Sequence, residues 1–165
     1  GMRQRVVIAI ALAANPKLVI ADEPTTALDV TIQAQILRMM KRLVKEHHTA
    51  LMLITHDLAV VSEMADDIMV MYCGRIVEKA SRDGIISRAR HPYTLGLLDA
   101  IPKLSTRQRR LHQINGTVPD IMNLPSGCVF APRCSHTQDL CRTTRPEPTM
   151  LSPDHEIACH YPVER

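Results

Sequence analysis

Leu18-Val19-Ile20-Ala21-Asp22-Glu23-Pro24-Thr25-Thr26-Ala27-Leu28-Asp29 is the stretch that decides the fold. Four apolar residues run into two adjacent carboxylates, and a turn bearing a third carboxylate follows. A short apolar run without alternation reads as a strand covered on both faces of a parallel sheet. Such sheets place their chemistry at the carboxyl ends of the strands, which is where Asp22 and Glu23 fall. A Mg²⁺-nucleotide site needs this arrangement, with one carboxylate for the metal's water shell and one to orient or deprotonate an attacking water. The phosphate-cradling pattern Gly-x-x-x-x-Gly-Lys-Ser/Thr occurs nowhere in the 165 residues.

The flanking sequence extends the pattern. Val6, Val7, Ile10, Ala11 and Ala14 recur at helical spacing over 2–14, and Asn15-Pro16 ends that helix. Asp29 can cap a long helix over 30–47 whose apolar face is Ile32, Ile36, Leu37, Met40, Leu43 and Val44. Residues 50–55 form a second apolar strand with His56-Asp57 at its tip, and a short helix follows over 58–64. A third strand covers 67–72 and turns at Cys73-Gly74 into a hairpin with 75–79. Residues 83–100 give one or two short helices broken at His91-Pro92. The expected fold class is α/β, a parallel sheet flanked by helices with an irregular Cys-rich tail. Met39, Met40, Met52, Met69 and Met71 are expected to fill core or strand positions.

Composition narrows the function classes. The formal net charge is +3, and the aromatics are Phe130, Tyr72, Tyr93 and Tyr161 with no Trp. That makes neither a nucleic-acid face nor a base-stacking platform, and the Arg107, Arg109, Arg110 cluster reads as solvated surface. No apolar run is long enough for a membrane span. The expectation is a soluble, cytoplasmic protein, in which five cysteines argue for metal or thiol chemistry before disulfides.

Leu18–Pro24 resembles the Walker B motif of ABC-type ATPases, and Ala27-Leu28-Asp29 resembles their D-loop. Gly1-Met2-Arg3-Gln4-Arg5 is similar to the end of the signature sequence, and Thr55-His56-Asp57 to the switch-histidine loop. The four match in order and spacing. The resemblance implies that Asp22 acts on Mg²⁺ through water and that Glu23 is the catalytic carboxylate. It implies that His56 contacts the γ-phosphate, that Asp29 lines a dimer interface, and that Gly1 offers its N–H to a γ-phosphate held by the opposite subunit. ATP and Mg²⁺ are the implied cofactors. In that family the phosphate loop lies upstream, so the chain reads as a C-terminal fragment that neither binds ATP tightly nor hydrolyses it alone.

The tail carries a narrower match. Arg90-His91-Pro92-Tyr93-Thr94, Gly116-Thr-Val-Pro119 and Leu124–Cys134 resemble the C-terminal domain of oligopeptide, dipeptide and nickel transporter ATPases. The implied organisation is 1–82 as the end of an ABC ATPase domain, 83–104 as a helical connector and 105–165 as the Cys/Pro-rich domain. The spacing Cys128-x5-Cys134-x6-Cys141-x17-Cys159 lets four thiolates hold Zn²⁺ or an iron–sulfur cluster. Family members with this pattern resemble 4Fe–4S binders, which favours the cluster; Zn²⁺ or an empty site is the alternative. His136, His155 and His160 are spare candidate ligands, His160 foremost, and Cys73 stands apart.

The implied role is ATP hydrolysis energising a peptide-type importer at the inner face of the cell membrane. Its implied partners are a second ATPase subunit, two permease chains and an extracytoplasmic binding protein, with no nucleic acid. A non-transport ABC ATPase and a non-catalytic interaction module are the other readings. The family places its phosphate-loop strand between the strands matching 50–55 and 67–72. Its absence here leaves two sheet edges open and predicts self-association.

Overall fold

A computed structural model describes residues 1–101 and 113–164. The Arg107, Arg109, Arg110 cluster lies outside the described residues. The chain divides into two units, Gly1–Ala65 and Asp66–Arg165.

The first unit holds α1 (Met2–Leu12), β1 (Leu18–Asp22), α2 (Val30–Glu46), β2 (Ala50–Ile54) and α3 (Leu58–Met64). The strands β1 and β2 pair in parallel, with Leu18 opposite Ala50 and Asp22 opposite Ile54. This register brings the two chemistry-bearing tips side by side. Ile8, Leu12, Ala21, Ile36 and Met40 form the core on one face of the pair. The other face departs from expectation. Leu18, Ile20, Met52 and Ile54 stay 42–61% exposed, so the strands are covered on one side among the described residues. Along α1, Val6, Val7 and Ile10 are exposed and Ile8 and Leu12 are buried, the reverse of the face read from spacing. A helix apolar nearly all round has no unique stripe for periodicity to find.

The second unit holds β3 (Asp67–Tyr72), β4 (Arg75–Ser81), α4 (Arg82–Arg88), α5 (Pro92–Asp99), α6 (Asp139–Thr143), β5 (Thr149–Ser152) and β6 (His155–Ile157). It corrects the expected single parallel sheet. The strands β3-β4-β6-β5 form a separate antiparallel sheet. The tail is therefore less irregular than its prolines suggest, because its last hairpin completes this sheet. The Cys73-Gly74 turn has φ of 46° and 75°, the left-handed pair that a two-residue hairpin needs. The β3–β4 register shifts at Val70/Met71, and Val77 and Glu78 both end buried. Met52, Met69 and Met71 are 42–58% exposed, so of the five methionines read as core or strand fillers only Met40 is fully buried.

Candidate functional site

At the tips of β1 and β2 the chain turns sharply. Glu23 N–H still continues the parallel ladder, donating to Ile54 O at 2.9 Å, yet Glu23 has φ +44° and Ala27 φ +64°. A non-glycine residue in that region carries about 1–3 kcal/mol of strain and persists only where its surroundings hold it. Three bonds hold the Glu23 carboxylate. Oε1 meets His56 Nδ1 at 2.7 Å and accepts from His56 N at 3.2 Å. Oε2 accepts from the Thr26 hydroxyl at 2.9 Å. The hydrogen bond from His56, then that from Thr26, lowers the Glu23 pKa, and the same bond raises that of His56. Both directions favour the charged pair, although the pair is open to solvent.

The loop that carries His56 is fixed by its neighbours. Asp57 caps α3 by accepting from Ala59 N at 2.9 Å, its other oxygen accepts from Gln33 Nε2 at 3.2 Å, and its N–H donates to Thr55 Oγ1 at 3.1 Å. Thus Asp57 and Gln33 position His56, and Thr26 steadies Glu23. Thr26 and Gln33 were not singled out from sequence, where nothing marks them except nearness to the motif.

The remaining sequence candidates fall as follows. Asp22 ends β1 with an exposed carboxylate that makes no hydrogen bond or ion pair among the described residues. Asp29 caps α2, accepting from Ile32 N at 2.9 Å. Gly1 caps α1, and a Cβ there would stand 3.1 Å from Ile32 Cγ2. Arg5 donates to Gln35 of α2 at 3.2 Å, tying the first helix to the second.

In the second unit the four tail cysteines come together. Cys128, Cys134, Cys141 and Cys159 line one cavity of about 20 Å³ with His91, Phe130, His136 and His160. Backbone contact sets this up. Cys128 N–H donates to Cys141 O at 2.8 Å, and a Cβ at Gly127 would press into Cys141 O at 2.3 Å, so only glycine fits. Burial raises the pKa of Cys128 and Cys134 and pushes that of Cys159 to about 11. Thiols so placed lose protons readily only when a cation takes the charge. Donor type and convergence fit a thiolate-bound metal. The ligating distances are not made, since no group of three or more His, Cys, Asp or Glu among the described residues is poised to hold an ion. The space admits one water-sized body, and a cubane would require the side chains to move apart. Cys73 sits in the β3–β4 turn, outside this lining.

The spare histidines separate. His136 and His160 line the cavity, and His160 Nε2 donates to Thr144 O at 2.9 Å. His155 is removed from the ligand set, because its Nε2 is bound to the fully buried Glu78 at 2.8 Å. Glu78 also accepts from Arg90 N at 2.6 Å and His91 N at 3.2 Å. This hub pins the segment entering α5 to β4 and β6, and sequence reading missed it. Tyr72, Tyr93 and Phe130 pack with centroids 4.7–5.3 Å apart beside it.

The geometry first defines a class: a parallel α/β unit with an acid–imidazole pair at its strand tips. Comparison supplies the particular family. Residues 77–141 match the family described as oligopeptide/dipeptide transporter, C-terminal region. The chain is 58% identical to the oligopeptide transport ATP-binding protein AppD of Bacillus subtilis over 146 residues, 88% of this chain and 44% of that protein. It is 49% identical to the dipeptide transport ATP-binding protein DppD of Escherichia coli, over 99% of this chain and 50% of that one. Against the oligopeptide transport ATP-binding protein OppD of Salmonella typhimurium the values are 47%, 99% and 49%. The resemblance to ATP-binding subunits of peptide ABC transporters is thereby shown. The chain spans about half the length of the curated relatives it matches.

Proposed function

We propose that the chain is part of an ATP-hydrolysing subunit that energises a peptide-type ABC importer. One coincidence carries this reading: the Glu23–His56 contact at parallel strand tips, in a chain that also carries an oligopeptide/dipeptide transporter C-terminal region. In the proposed organisation 1–82 is the end of the ATPase domain, 83–104 a connector and 105–165 the Cys/Pro-rich domain. The proposed location is the cytoplasmic face of the membrane, beside permease chains, a second ATPase subunit and an extracytoplasmic binding protein. Among the described residues no helix is long and apolar enough to cross a membrane.

The proposed chemistry follows from the atoms in place. Bound Mg²⁺ would draw charge from the phosphate oxygens, and the unpartnered Asp22 carboxylate would hold it through water. Glu23 would orient the attacking water. Its Oε1 is engaged twice by His56 and its Oε2 once by Thr26, so Oε2 keeps a lone pair that can accept from the attacking water. His56, steadied by the capped loop, would then face the γ-phosphate. Asp29 and Gly1 would meet the nucleotide site of a second subunit, Gly1 through the N–H groups at a helix start.

With no phosphate loop in its sequence, the 165-residue polypeptide is expected to show no ATP turnover above a contaminant control. Turnover that survives purification and disappears in Glu23→Gln would contradict this.

Cys128, Cys134, Cys141 and Cys159 are proposed as the ligands of a 4Fe–4S cluster, with Zn²⁺ the alternative occupant. Their convergence on one cavity supports that assignment. Self-association is proposed through the free edges of β2 and β3, which pair with no strand among the described residues, and unpaired edges template such contacts. Light scattering should give a dimer or larger species, and a monomer at high concentration would refute it.

A further inference from the structure

Gln33 bonds to both of the aspartates that shape the candidate site, one through its backbone and one through its side chain. Asp29 caps α2, its Oδ1 accepting from Ile32 N at 2.9 Å, and its carbonyl accepts from Gln33 N at 2.8 Å. That second bond closes the first turn of the helix. From the same turn the Gln33 side chain crosses to the loop after β2, where Nε2 donates to Asp57 Oδ2 at 3.2 Å. Both residues are half-buried, so the bond is less open to competing water than one on the surface. The other Asp57 oxygen accepts from Ala59 N at 2.9 Å and Val60 N at 3.4 Å. The carboxylate is thus gripped by α3 on one oxygen and by α2 on the other. His56 precedes it in the chain, with its backbone N–H and Nδ1 both on Glu23 Oε1. An ionised carboxylate only accepts, so the contact requires a donor at position 33.

We propose that Gln33 is a positioning residue that couples the start of α2 to the His56 loop, so that the placement of Asp29 sets the placement of His56. This rests on the reading of Glu23 and His56 as hydrolytic residues and of Asp29 as meeting a second subunit. Gln33 touches no reacting atom and acts through Asp57. A displacement of Asp29 moves the first turn of α2, and the amide carries that movement to the loop holding the imidazole. The coupling therefore runs through a contiguous chain of bonds.

Two measurements test it, and they fail separately. In the 165-residue chain without nucleotide, NMR follows the His56 backbone amide. Asp29→Ala should shift that signal, and Gln33→Leu in the same chain should at least halve the shift; an undiminished shift overturns the coupling whatever the chain's activity. The second measurement is ATP hydrolysis by a chimera carrying these residues in place of the matching segment of Bacillus subtilis AppD. Gln33→Leu should lower kcat about 10–100-fold, the scale of a misplaced catalytic group, with KM for ATP unchanged. Gln33→Arg restores a donor to Asp57 and should recover most of the rate. Asp29→Ala combined with Gln33→Leu should lose little more than the worse single variant, as expected of residues acting in one chain. An unchanged kcat in Gln33→Leu, no recovery in Gln33→Arg, or fully additive losses would overturn the proposal. Should Gln33→Leu not fold, Gln33→Glu is read in the same way, since it keeps the length of the side chain and offers no donor at neutral pH. If Glu23→Gln leaves the chimera's rate unchanged, the hydrolytic reading fails, and the NMR result alone decides the coupling.

Discussion

Glu78→Ala should cost the protein about 3 kcal/mol or more, because it removes the shared acceptor of three hydrogen bonds from a buried site. Glu78 is fully buried, and its carboxylate is the acceptor for Arg90 N, His91 N and His155 Nε2. Removing it strands three donors at a buried site, each worth about 1–3 kcal/mol when unsatisfied and not fully additive. A loss of that size is a large fraction of the ~5–15 kcal/mol that holds a typical domain. Urea unfolding followed by far-ultraviolet circular dichroism reads the change, since the chain has no Trp to report by fluorescence. Glu78→Gln keeps one acceptor oxygen but turns an amide donor toward the other N–H group, so it should fall between wild type and Glu78→Ala. A Glu78→Ala loss under about 1 kcal/mol, the size of one ordinary hydrogen bond, would mean the hub is not the clamp described.

The hub also shows where sequence reading reaches its limit. In a regular strand, Ile76, Glu78 and Ala80 share one face and Val77 and Lys79 the other. The register shift opposite Val70/Met71 breaks that alternation, so Val77 and Glu78 are both buried. A bulge of this kind depends on the partner strand and leaves no local signature. The same limit applies to β5 and β6. Pro153-Asp154 lies between two short strands whose pairing with β4 is long-range, and the density of prolines around them reads as irregular chain. For α1, a helix apolar nearly all round beyond Arg5 hid which side faces the core.

What was legible rested on chemistry within a few residues. The apolar runs ending in Asp22-Glu23 and in His56 gave β1 and β2, and their parallel register then made the Glu23–His56 contact. Asp29 announced its helix by capping it. The Cys73-Gly74 pair announced its turn. The cysteine spacing marked four candidate ligands, and the four residues line one cavity. Contacts between Cys128 and Cys141, and the tight approach at Gly127, bring them together. Sequence left His155 among the spare candidate ligands behind His160, and only the hub in three dimensions removed it.

The second large effect concerns Glu23. Positioned general-base or water-orienting carboxylates are typically worth ~10²–10⁴-fold in rate. Glu23→Gln preserves shape and leaves one oxygen for His56 or Thr26 while removing the charge, so it isolates the chemical role from the packing role. The strained turn at φ +44° is held partly by its backbone bond to Ile54, which the substitution does not touch. Folding of the variant is therefore expected to match wild type, and any loss of turnover reports on chemistry.

The decisive measurement is ATP hydrolysis by a chimera in which these 165 residues replace the matching segment of the Bacillus subtilis oligopeptide transport ATP-binding protein AppD. The chimera should turn over ATP, and Glu23→Gln within it should lower the rate ~10²–10⁴-fold while nucleotide binding persists. A folded chimera that binds ATP and hydrolyses it equally well with Gln at position 23 would contradict the assignment of Glu23 as the catalytic carboxylate.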